Sequence, residues 1–173
     1  MNSDLIEKLS GGDRRSIGRS EEVAADILAQ PDRFGELFEC ILNPDPLVRM
    51  RAADAAEKLT AQRPDLLQPH KDSLLHQVAQ IPQQEVRWHV AQMLPRLQLS
   101  MQERQEAVSV LERYLEDHSK IVVTFSMQAL ADLALQDASL RPQVRARIEQ
   151  LSASGSPAIR SRGRKLLHQL KQA

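Results

Sequence analysis

Aromatic residues are scarce in this 173-residue chain: three Phe, one Tyr and one Trp, 3% in all. Sheet cores draw on β-branched and aromatic side chains, so the deficit argues against strands. The core must come from Leu, Ala, Val and Ile, within a hydrophobic share of 42%. Cysteine is nearly absent too. The single Cys40 excludes an internal disulfide and stands in an apolar-periodic run, where it reads as a small packed residue in a reducing cytosol. No sign of charge is in excess: 23 Lys and Arg balance 23 Asp and Glu, without the basic surplus of a general nucleic-acid binder. No run approaches the ~18 apolar residues of a membrane span, and Met1 to Gly12 lacks the apolar core of a secretory signal. Together these absences predict a cytoplasmic protein that does not enter a membrane.

Catalytic signatures are missing as well. Gly11-Gly12-Asp13-Arg14-Arg15 is glycine-rich, but it lacks the preceding strand and the following Lys-Ser/Thr of a phosphate loop, and reads as a helix C-cap followed by an exposed basic turn. The five histidines form no His-x-x-x-His pair, and no CxxC occurs. Glu85 and His89 are four apart, the spacing of a helical metal pair, but a surface i, i+4 contact is the commoner use of that spacing. No catalytic residue, metal ligand or cofactor site is assigned. A repair or lyase enzyme would need a buried acid, for which Asp54, Glu85 and Asp132 are the candidates.

What the chain does contain is a repeat. The segment Val48-Arg49-Met50-Arg51-Ala52-Ala53-Asp54-Ala55-Ala56-Glu57-Lys58-Leu59 returns from Val86 to Leu97, from Val122 to Leu133 and from Ile159 to Leu170. Each copy ends on a Leu. A second apolar series, Leu37, Leu75, Leu111 and Ile148, keeps a constant offset before the copies, so length variation falls between repeats. The apolar residues around both series follow i, i+3, i+4, i+7 spacing, the mark of amphipathic helices. Asp45-Pro46 and Ser156-Pro157 place a capping side chain before a proline at the first helical position. Ser100 with Glu103 fits a capping box, and Ser119 and Ser139 are further N-cap candidates. Pro95 falls inside a helical copy and should kink it or shorten its last turn. Small residues at fixed places (Ala52, Ala56, Ala91, Ser126, Ala129 and Gly163) suit close helix approach.

The pattern Val-Arg-x-x-Ala-Ala-x-Ala-x-x-x-Leu, preceded by a shorter amphipathic helix, resembles the HEAT repeat. The resemblance implies an all-α fold, a right-handed α-α superhelix of about four helix pairs plus a degenerate N-terminal cap. Repeats are expected at 31–62, 63–98, 99–136 and 137–173, with capping helices at 1–30, in one domain. The third copy carries Val123 where the others have Arg49, Arg87 and Arg160, so no unbroken arginine ladder is expected.

In a HEAT-type solenoid the second helix of each pair lines a concave face. Positions two and six after the first residue of each copy should point outward: Met50 and Asp54, Trp88 and Gln92, Thr124 and Gln128, Ser161 and Lys165. Trp88 either anchors a partner or folds over an inter-repeat groove. Arg49, Arg51, Arg87 and His89 surround the same strip and would make it locally positive. Charge is uneven along the chain. Residues 21–57 hold nine acids against three arginines, and residues 140–173 hold eight basic residues against Glu149. The leading expectation is a non-enzymatic scaffold that binds a protein partner. The alternative is a nucleic-acid binder using the basic C-terminal end, since HEAT-like alkylpurine DNA glycosylases cradle a duplex. A monomer or weak head-to-tail oligomer is expected.

Overall fold

The structure, a computed structural model, describes residues 3–12 and 16–172. The exposed basic turn expected at Asp13-Arg14-Arg15 lies outside the described residues. Every regular element among the described residues is helical. The chain forms two compact units, residues 1–98 and 99–173.

The first unit begins with the short helix α1 (Ser3–Leu9), which buries Leu5 and Leu9. Gly11 (φ 70°) and Gly12 (φ 79°) turn the chain out of it through the left-handed region that glycine enters freely. Helix α2 (Ser20–Ala29) buries Val23, Ala24 and Ile27 and packs on α4 (Pro46–Gln62). Lys8 pairs with Glu22 (3.1 Å) and Asp26, joining α1 to α2. Between α2 and α4 run a 3₁₀ turn (Pro31–Arg33), the six-residue α3 (Phe34–Glu39) and a second 3₁₀ turn (Cys40–Leu42). The next pair is α5 (Lys71–His76), flanked by 3₁₀ turns, and α6 (Gln84–Met93). Phe38 stacks on His70 with ring centroids 4.5 Å apart. Cys40 is buried, and that burial pushes its thiol up to about 11, away from reactivity.

Local chemistry explains the boundaries. Asp45 accepts the Leu47 N–H (2.8 Å), and Pro46 opens α4 where no donor is needed. Helix α6 stops at Met93 and passes into a 3₁₀ turn (Leu94–Arg96), because Pro95 has no N–H to continue it.

The second unit contains α7 (Met101–Tyr114), α8 (Lys120–Gln136), α9 (Arg141–Ser154) and α10 (Pro157–Gln172). Ser100 and Glu103 form both arms of the capping box (3.3 and 2.7 Å). Ser119 stands at the N-cap of α8 as expected but makes no side-chain cap bond, whereas Ser139 is not a cap, contrary to expectation. Asp117 accepts the Ser119 N–H (2.8 Å), and Asp137 caps the 3₁₀ turn Ala138–Leu140 by accepting the Ser139 N–H (3.0 Å). Arg147 ties α9 to α7 through Glu112 (3.0 Å) and Glu116. Helices α8, α9 and α10 pack closely at Gly163, where an added Cβ would lie 1.9 Å from Ser152 Oγ.

The two repeating series form the core of their units. Val48, Val86, Val122 and Ile159 are buried, as are Leu59, Leu97, Leu133 and Leu170. Leu37, Leu75, Leu111 and Ile148 of the first helices are buried too. Each such side chain contributes about 1.5–3 kcal/mol of apolar burial.

Candidate functional site

Helical geometry sorts the residues of each repeated copy. Position three lies about 60° from the buried first residue and shares its stripe, whereas positions two and six face away. Arg51, His89, Phe125 and Arg162 occupy position three, and the first two are buried at 2% and 8% exposure. This corrects the expectation that Arg51 and His89 lend positive charge to an outward strip.

Arg51 points into the N-terminal cap. Its Nη1 donates to the carbonyls of Leu9 (3.0 Å), Ser10 (3.2 Å) and Gly11 (2.6 Å), and its Nε to that of Ser16 (3.2 Å). Gly18 (φ 57°) sits against the guanidinium, where a Cβ would lie 2.6 Å from Arg51 Cζ. His89 accepts the Trp88 indole N–H at Nε2 (2.9 Å), so its own proton sits on Nδ1, which is buried without a hydrogen-bond partner among the described residues. Burial pushes the His89 imidazole down to about 4, against the pull of Asp54 and Glu57, and leaves it uncharged near neutrality. The surface Glu85–His89 contact expected from spacing is therefore replaced by an internal Trp88–His89 bond.

Arg49 and Arg87 have turned back on the turns before their own helices, and Arg49 also reaches the next repeat. Arg49 donates to the Asn43 and Pro44 carbonyls (2.8 and 2.9 Å) and to Gln83 Oε1 (3.0 Å). Arg87 donates to the Ile81 carbonyl (3.2 Å), six residues before it as Asn43 is before Arg49. Both hold the turn between paired helices. The signal was in the sequence: each arginine is the fourth residue of a second helix, in its first turn and within reach of the turn carbonyls.

Positions two and six in the first unit converge on a pocket of about 270 Å³, lined by Met50, Asp54, Glu85 and Trp88 with Ile17, Ser16, Arg51 and His89. Trp88 is half-buried and wedged against His89, ring centroids 5.6 Å apart, with its orientation fixed by the indole N–H bond. Asp54 is engaged from the side, by the Ser20 hydroxyl (2.6 Å) and by Lys58 (2.9 Å). Gln92 lies one turn beyond Trp88 and donates to its carbonyl (3.2 Å). Ile17 is 44% exposed, and Glu85 was not assigned to this strip from sequence; both become legible only once the N-terminal segment is placed over α4.

In the second unit the corresponding side chains are engaged separately. Thr124 bonds back to its own helix at Lys120 (2.9 Å), Gln128 bridges Asp132 (2.9 Å) and Arg162 (2.9 Å), Ser161 is half-buried and Lys165 is exposed. Burial raises the Asp132 carboxyl. Arg160, Arg164, Lys165 and Lys171 of α10 are exposed and form no ion pair among the described residues. No group of three or more His, Cys, Asp or Glu among the described residues is arranged to hold a metal ion. No helix among them is long and apolar enough to cross a membrane.

Comparison with known proteins gives one family. The profile described as a HEAT repeat domain matches residues 6–170. Among solved structures, a designed armadillo repeat protein is similar at 14% identity and a TM-score of 0.43, over 96% of this chain and 98% of that one. No curated protein matches.

Proposed function

The chain belongs to the HEAT repeat family, and we propose that it is a non-catalytic scaffold that docks a segment of a partner protein on the surface of α4 and α6. Folds of this kind typically serve as protein-interaction scaffolds because stacked repeats present long rows of side chains. The observation that carries the reading is Trp88. It is the chain's only tryptophan, it stands half-buried at the wall of a pocket in the first unit, and an internal hydrogen bond holds it in place. Rigid, partly exposed aromatics are the usual anchors of binding sites. Met50, Asp54 and Gln92 complete the contact surface beside it. A reducing cytoplasm suits the one buried thiol. The test is affinity capture from cell extract with mass spectrometry, comparing wild type with Met50→Ala/Trp88→Ala. The retained set should be lost from the double variant while its circular dichroism stays helical. Equal retention on both proteins rejects this surface.

A second reading has an observation of its own. Arg160, Arg164 and Lys171 fall on one face of α10, all exposed. Such a row fits a phosphate backbone. Under this reading duplex DNA or RNA binds at about 50 mM salt and weakens steeply by about 200 mM. An absence of any anisotropy change at low salt removes it.

A further inference from the structure

We propose that the Trp88 pocket takes a basic side chain, an arginine or lysine presented by the partner segment, with Glu85 as its counter-charge and the indole as the surface it lies on. The inference rests on the docking reading above and gives that partner its chemistry.

A census of charge around the pocket carries the argument. Among the described residues, the cations that surround it are committed inward. The Arg51 guanidinium is held by four backbone carbonyls, and Arg49 and Arg87 hold turn carbonyls outside the pocket. His89 accepts a hydrogen bond from Trp88 through Nε2 and is neutral. The walls themselves offer two carboxylates. Asp54 is matched by Lys58 (2.9 Å). Glu85 is not matched: it accepts only a long hydrogen bond from the neighbouring Gln84 amide (3.4 Å) and forms no ion pair among the described residues. A half-buried carboxylate with no cation among the described residues, next to an aromatic ring, attracts a positive group. Like charge at Asp54 and Glu85 repels an acidic one.

The rest of the lining suits the same occupant. The indole edge is turned to His89, which leaves a ring face for a cation to lie on. Met50 and Ile17 supply apolar surface for the methylene stem of a long basic side chain. A volume of about 270 Å³ admits one side chain, not a folded element.

The experiment selects binders from a random peptide library displayed on phage, with the full chain immobilised. Retained peptides should share an arginine or lysine at one position, and their binding should change Trp88 emission, the chain's only tryptophan signal. Replacing that arginine by citrulline, which keeps shape and removes charge, should weaken binding about tenfold. Glu85→Gln should weaken the arginine peptide similarly and leave the citrulline peptide unchanged. Peptides that depend on Trp88 but show no basic preference, or that ignore Glu85→Gln, overturn this inference and leave the docking reading standing. If no peptide is retained, or if those retained are indifferent to Trp88→Ala, both readings fall.

Discussion

Burial holds the imidazole of His89 neutral far into the acid range. Asp54 and Glu57 favour its charged form, Lys58 and Arg96 oppose it, and desolvation outweighs all four. In the unfolded chain the same group titrates near 6.5. The unfolded state therefore takes up the proton first as pH falls. The stability linked to His89 is complete above pH 6.5, drains away between 6.5 and about 4, and stays lost below. The difference amounts to about 3 kcal/mol. In urea titrations, wild type should lose about that much more stability between pH 7 and pH 4 than His89→Gln does; parallel pH profiles would sink the idea. The inward turn of His89 and Arg51 was readable from i, i+3 spacing alone. It was overlooked because arginine and histidine are ordinarily surface residues, and only the ring of carbonyls around Arg51 makes its burial affordable.

The second helices were legible because their apolar stripe repeats at nearly constant spacing, and a stripe of that period has one inward face. Their partners were less so. In the first unit α3 and α5 shrink to six residues each and pass into 3₁₀ turns, a choice made by neighbouring prolines and tertiary packing rather than by periodicity. The caps expected at Ser119 and Ser139 were obscure for the same reason: turn geometry leaves the Ser119 hydroxyl without a cap bond and turns the Ser139 hydroxyl to Asp137. The closest helix approach was visible as a glycine in the fourth copy. A Cβ at Gly163 would meet Ser152 Cβ at 3.1 Å and Met127 Cε at 3.4 Å as well as the hydroxyl. Gly163→Val should therefore cost about 1–3 kcal/mol of unfolding free energy by urea titration. A variant as stable as wild type would mean that α9 and α10 part without strain.

At the scale of the whole chain, charge balance conceals an asymmetry. Residues 1–98 hold 15 acidic and 12 basic residues, whereas residues 99–173 hold 8 and 11. Opposite signs on two units of one molecule favour contact between copies when ions do not screen them. Sedimentation at about 10 mM salt, where the screening length is ~30 Å, should show concentration-dependent association that disappears at about 150 mM, where it is ~8 Å. A constant sedimentation coefficient at low salt would exclude it. The arginine that pins the N-terminal cap carries a temporal consequence of its own. Its carbonyl partner at Leu9 lies 42 residues upstream, and a seven-residue helix does not persist alone in water. On the ribosome, α1 thus emerges well before its fastening, and the contact that pins it forms only after Arg51 clears the exit tunnel.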